Sequence, residues 1–210
     1  MLNLIIIGAR GWGREVLWAA RSFETEGLIR IKGFLDDNPH ALDGLRGDFP
    51  PILGPVEDYQ VQPDDIFFVA LGDQVQRHKY YNIIKEKGGK FGTYISPKAT
   101  ISPNARIGEG CFIEEYVSIS DNAEVSEQTV VQRMSTLGHD VKVGSFSTIG
   151  ANVFCGGYAE VGNFTTINVS STILRHVKVG SHAVVGAGSV VIKGVKDEEH
   201  VFGNPAKAFM

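Results

Sequence analysis

Between residues 95 and 196 the chain repeats every six residues without a break, and few folds accept so strict a period. The first positions run from Ile95, Ile101 and Ile107 to Val179, Val185 and Val191, and sixteen of the seventeen are Ile, Leu or Val. The exception is Cys155. The fifth positions, from Ala99 through Val117, Ser147 and Thr165 to Val195, are all small or β-branched, and Gly fills the second position eight times. Each hexad therefore reads as a short strand plus a corner. Coils of such strands stack in parallel and bury one continuous column, with the first positions inward and the small fifth positions where the walls converge. A parallel β-helix is expected from residue 95 onward, with a tail closing the chain at 210.

Residues 1–94 follow a different pattern. Leu2 to Ile7 is a continuous apolar run, followed by Gly8, Ala9, Arg10, Gly11, Trp12 and Gly13. Apolar residues at Val16, Leu17, Ala20 and Phe23 then have helical spacing over Arg14 to Phe23. A second strand, Ile29 to Leu35, ends in Asp36 and Asp37; a third, Ile66 to Leu71, ends in Gly72 and Asp73 before a helix reaching about Lys87. Gly88 and Gly89 stop that helix, and Phe91 to Ile95 leads into the repeat. Residues 38–60, with four prolines, read as an irregular connection. The expectation is a small Rossmann-like α/β domain with a parallel sheet and covering helices.

Charge and composition exclude several classes. A net charge of −4 argues against a general nucleic-acid surface. No window approaches the roughly 20 apolar residues of a membrane span, so no membrane partner and a cytoplasmic location are expected. Cys111 and Cys155 both fall on inward positions of the repeat and read as buried, reduced thiols.

Two signals carry chemistry. The first is the glycine-rich turn from strand to helix, which presents backbone N–H groups and a positive dipole end to a phosphate. Its spacing, G-x-x-G-x-G, departs from the dinucleotide fingerprint. Gly8, Gly11, Gly13, the Asp36–Asp37 pair and Gly72–Asp73 share the carboxyl edge of the expected sheet, where ligands of such folds sit. A nucleotide or nucleotide-sugar is the reading, against a merely tight turn. The second signal is His139–Asp140, at the third and fourth hexad positions and so pointing outward. With three hexads per coil, residues 18 apart stack about 4.8 Å apart, which sets Gly157 one coil beyond His139. The pattern is a base, an adjacent carboxylate and an open slot with a free backbone N–H. Direct acyl transfer requires these groups.

At these residues the chain resembles the bacterial sugar acyltransferases related to sialic acid O-acetyltransferase and to nucleotide-sugar N-acetyltransferases of surface-glycan synthesis. The resemblance spans nearly the whole chain: the glycine loop, Asp36–Asp37, Ala70 to Asp73 with Arg77, the hexads, His139–Asp140, Gly156–Gly157 and the closing Val201 to Lys207. It implies a left-handed β-helix, a homotrimer, acetyl-CoA as cosubstrate between neighbouring helices, and a sugar held by the N-terminal domain near the histidine. By the same resemblance His139 is the general base, Asp140 its partner and the Gly157 N–H the donor to the thioester carbonyl. Ala187 and Lys207 would lie along the coenzyme. Trp12 and Thr148 stand where many relatives carry histidine; the first bears on sugar preference, the second on acetyl positioning, with Thr148 still offering a hydroxyl.

The leading expectation is N-acetylation of a nucleotide-linked amino sugar, with O-acetylation of sialic acid or another sugar hydroxyl as the alternative. A non-catalytic trimeric sugar-binding scaffold is the alternative from another class. A zinc hydratase needs three convergent histidines; His139 and His176 sit roughly 10 Å apart and His182 falls on another face, so no metal is expected. Outward aromatic positions Phe146, Phe154, Tyr158 and Phe164 are expected to prefer a partner chain.

Overall fold

A computed structural model describes residues 1–209. The chain divides into two compact units, Met1–Gly92 and Thr93–Met210, two residues before the boundary drawn from the repeat.

The first unit is a four-stranded parallel sheet of order β2-β1-β3-β4. Its elements are β1 (Leu2–Ile7), α1 (Gly11–Thr25), β2 (Ile29–Leu35), β3 (Asp65–Val69), α2 (Gln74–Glu86) and β4 (Lys90–Phe91). β1 pairs on both sides, and its Leu4 to Ile7 are buried, which is why it reads as an unbroken apolar run. Val16, Leu17, Ala19 and Ala20 of α1 face the core. The helix starts at Gly11, nearly one turn before the apolar spacing indicated, so the loop proper is only Gly8 to Arg10. A Cβ on Gly13 would lie 1.8 Å from the Gly8 carbonyl oxygen. Only glycine lets this first turn pack on the end of β1. Phe91, expected to lead toward the repeat, instead pairs with Phe67 and closes the sheet.

Near the amino end of β3, the Asp65 side chain is fully buried and takes Lys32 Nζ at 2.9 Å, the Tyr59 hydroxyl at 2.8 Å and the Gln62 N–H at 2.9 Å. Burial pushes its pKa up, but these donors outweigh burial and hold the carboxyl below the ordinary carboxylate value.

The second unit is a left-handed parallel β-helix. Every strand from β5 (Tyr94–Ile95) to β21 (Val190–Val191) is two residues long. They stack into three sheets of eight, six and five strands, the first ending in β22 (His200–Phe202) and an antiparallel β23 (Lys207–Ala208). Strand partners are 18 residues apart, as in Leu137↔Cys155, so three hexads make one coil. First positions from Ile113 to Val191 form one buried column with fifth-position residues such as Ala123, Val141 and Ala183. The fifth-position hydroxyls do more than fit. Ser135, Ser147 and Thr165 each donate at 2.7 Å to the carbonyl of a second-position glycine, Gly150, Gly162 and Gly180 respectively.

Corners have their own rule. Fourth-position residues adopt left-handed backbone without being glycine, among them Asp140 (φ 58°), Phe146 (φ 59°), Tyr158 (φ 61°) and His176 (φ 61°). Such a conformation costs roughly 1–2 kcal/mol per residue. It turns each N–H onto a carbonyl of the preceding coil: Asp140 onto Asp121 at 3.0 Å, Tyr158 onto His139 at 3.0 Å, His176 onto Gly157 at 3.1 Å. Phe146 corrects the expectation of an outward aromatic. It is 4% exposed within a single chain, its ring stacked on Phe164 at 5.2 Å. Among the described residues neither cysteine forms a disulfide and both are buried, and burial pushes the Cys155 thiol up to about 12. Among the described residues no helix is long and apolar enough to cross a membrane.

Candidate active site

His139 and Asp140 form the turn between β12 (Thr136–Leu137) of the six-stranded sheet and β13 (Lys142–Val143) of the five-stranded sheet. His139 Nδ1 lies 2.8 Å from Asp140 Oδ2, and the two side chains are 58% and 28% exposed. The other carboxylate oxygen, Oδ1, accepts from Asn122 Nδ2 at 2.7 Å. The hydrogen bonds from Asn122 and His139 hold the Asp140 carboxyl below its usual range, so it is ionised at neutral pH. An ionised carboxylate only accepts. In the neutral imidazole Nδ1 therefore carries the proton and Nε2 the lone pair.

That nitrogen sits against Gly157. A Cβ there would come 2.6 Å from Nε2 and 2.7 Å from Cε1 of His139, so the glycine makes the slot that the 18-residue stacking indicated. Tyr158 stands edge-to-face with the imidazole at 5.0 Å and is itself stacked on His176 at 4.9 Å. The corner thus holds an oriented imidazole, its ionised partner and a glycine that lets the ring lie this close. Gly156 is packed tightly on the next coil, where a Cβ would meet the Arg175 nitrogen at 2.7 Å.

The first unit carries a cleft of about 470 Å³ at the carboxyl ends of β1 and β2. Gly8, Asp36 and Asp37 line it, joined by Arg10, Gln76 and Tyr80. The acidic pair divides its work. Asp36 accepts from the Ala9 and Asn38 N–H groups at 2.9 Å each, fixing the glycine loop. Asp37 accepts from the Tyr80 hydroxyl at 2.9 Å. Burial and this carboxylate push the Tyr80 hydroxyl up to about 12, so it remains a donor at neutral pH. Gly11, Trp12, Gly13, Gly72 and Arg77 are not among the lining residues. Arg77 is 1% exposed, donates to the Leu71 carbonyl at 3.1 Å and has its guanidinium 5.7 Å from the Trp12 ring. It braces the loop that follows β3.

Known proteins match both units of the chain. Residues 3–84 match the PglD N-terminal domain family. The acetyltransferase domain of PglB from Neisseria gonorrhoeae FA1090, solved in complex with acetyl coenzyme A, is 28% identical; the match covers 99% of this chain and 98% of that one with a TM-score of 0.88. The match to a domain of known acetyltransferase function at 28% identity, with the family model over residues 3–84, makes the chain similar to sugar acyltransferases. A mutant of perosamine N-acetyltransferase from Caulobacter crescentus, in complex with CoA and GDP-perosamine, shares the fold at 23% identity, with 99% and 97% coverage and a TM-score of 0.89. WeeI from Acinetobacter baumannii AYE also shares it, at 23% identity over the full length of both chains and a TM-score of 0.73. No curated protein matches the chain in sequence.

The remaining expected residues fall away from His139 within the chain. Thr148 lies in β14 (Thr148–Ile149) of the eight-stranded sheet, Lys207 lies in β23 of the same sheet, and Ala187 follows its strand β20 (Val184–Val185). His139 stands at the corner between the other two sheets. The residues that the sequence reading missed had usable signals. Tyr80 is four residues after Gln76 on α2, one turn along the same face. Asn122 is 18 residues before Asp140, the stacking rule that found Gly157 applied in the other direction.

Proposed function

We propose that this protein transfers an acetyl group from acetyl-CoA to the amino group of a nucleotide-linked amino sugar, in the synthesis of a surface glycan. The observation that carries the reading is the His139–Asp140 pair with Nε2 packed against Gly157. The 28% identity to the PglB acetyltransferase domain, matched over 98% of its length and solved with acetyl coenzyme A, supports the donor. The glycine loop and the cleft lined by Asp37 and Tyr80 support a nucleotide-linked acceptor, since a backbone turn at a helix N-terminus favours phosphate.

Gly157 fits the transfer role: any side chain there would meet His139 Nε2, and among the described residues its N–H has no protein acceptor. Bound acetyl-CoA supplies an activated acetyl group whose C–S bond breaks as the new N–C bond forms. The chain's own residues manage the charge and the proton. His139 Nε2 takes the proton of the attacking amine, and that proton leaves with the departing sulfur. Asp140 stabilises the imidazolium in the interval, and the Gly157 N–H meets the charge that develops on the carbonyl oxygen. Thr148, Ala187 and Lys207 line the coenzyme path from a second copy in a homotrimer, because a single chain carries them on a different side of the β-helix from His139.

The test is free-thiol release from acetyl-CoA against UDP-, GDP- and CMP-linked amino sugars and free sialic acid. Turnover with one nucleotide-linked amino sugar is expected. Turnover with sialic acid alone would move the activity to a hydroxyl acceptor, and failure to bind coenzyme at all would favour a scaffold.

A further inference from the structure

We propose that Asn122 is a positioning residue of the transfer site: it grips one oxygen of Asp140 so that the other is presented to the His139 ring. The inference rests on the acetyl-transfer reading of that pair. Asp140 sits on an exposed corner, where the His139 ring and the Tyr158 hydroxyl also hydrogen-bond its carboxylate, but Asn122 alone reaches it from the preceding coil. Asn122 Nδ2 holds Oδ1 at 2.7 Å while His139 Nδ1 meets Oδ2 at 2.8 Å. Two points of attachment fix the carboxylate plane, and the plane fixes the imidazole. Tyr158, edge-on to the ring at 5.0 Å and backed by His176, fences the ring from the following coil.

The neighbouring groups leave Asn122 to this task. Asp121, the other carboxylate at this corner, is engaged by Ser102 Oγ at 3.0 Å and Asn104 Nδ2 at 2.8 Å, both from the preceding coil. Asn122 adopts left-handed backbone (φ 55°), a conformation that asparagine tolerates and that Asn122→Gly would keep while deleting the amide. Asn152, at the equivalent position of another corner (φ 56°), donates to Ser170 Oγ at 3.2 Å and touches neither His139 nor Asp140. Asn152→Gly is therefore a matched control for the loss of a corner amide.

The experiment records the ring ¹⁵N resonances of His139 in the full-length protein, with steady-state kinetics alongside. Wild type and Asn152→Gly are expected to show one tautomer, protonated at Nδ1. Asn122→Gly is expected to show a mixture, with kcat reduced about 10- to 100-fold, as when an outer-shell partner is removed, and KM for acetyl-CoA unchanged. Asn122→Asp, which turns the donor into an acceptor, is expected to lose at least as much. An Asn122→Gly protein that keeps both the single tautomer and its kcat overturns the proposal, as does an equal loss in Asn152→Gly. A tautomer shift in a protein with no acetyl-transfer activity would uphold the positioning role and overturn the transfer reading instead.

Discussion

At the scale of single residues, the reading turns on the space beside one nitrogen. Gly157 has ordinary φ, so its reason for being glycine is contact and not backbone freedom. Gly157→Ala puts a methyl 2.6 Å from His139 Nε2 and must displace the ring. Displacement of reacting groups by about 1 Å costs on the order of 10²-fold, so kcat is expected to fall by that order while thermal stability changes little. Parallel melting curves and initial rates check this; a variant with full activity would remove Gly157 from the site. The acidic pair shows the limit of reading residues singly. Asp36 and Asp37 are adjacent, chemically equal in sequence and both line the cleft, yet one fixes a loop and the other holds the Tyr80 hydroxyl.

At the scale of elements, buried polar groups decide stability. Ser135 donates to the Gly150 carbonyl at 2.7 Å and accepts from the Val153 N–H at 3.1 Å, fully buried. Ser135→Ala leaves both backbone groups short of a partner and is expected to cost about 1–3 kcal/mol, measured as a lower midpoint in denaturant. In the first unit, Asp65 has its folded-state pKa depressed. Its stabilisation is then present above the ordinary carboxylate value near 3.8 and is lost as pH falls through the lower folded value. Asp65→Ala is expected to cost about 1–3 kcal/mol at neutral pH and to flatten the acid part of the stability profile. The helical signal follows this, because among the described residues only the first unit has helices. Sequence showed that β-helix fifth positions are small, since size follows from the period. It did not show that the hydroxyls bridge coils, because a serine and an alanine satisfy the same pattern. Helix α1 was dated late for a similar reason: Gly11 and Gly13 look like loop until the packing of Gly13 on the Gly8 carbonyl is seen.

At the scale of the whole molecule, the repeat determined most of what was legible. A six-residue period fixes which residues stack, so His139 over Gly157 could be read without coordinates. The cleft residues could not, because Arg10, Gln76 and Tyr80 come together through sheet order and helix packing that no period encodes. Thr148 and His139 occupy different sides of one β-helix, so the transfer reading expects a light-scattering mass of three chains of 22.8 kDa each; a monomer that is fully active would contradict it. The central claim is transfer to an amine with His139 as base. Its most direct test supplies ¹³C-acetyl-CoA and the nucleotide-linked amino sugar that turns over, and identifies the product carbonyl by NMR for wild type and His139→Ala. The account predicts an amide on the sugar nitrogen, formed at a rate on the order of 10²-fold or more lower in the variant. An ester product, or an amide formed as fast without the imidazole, would contradict it.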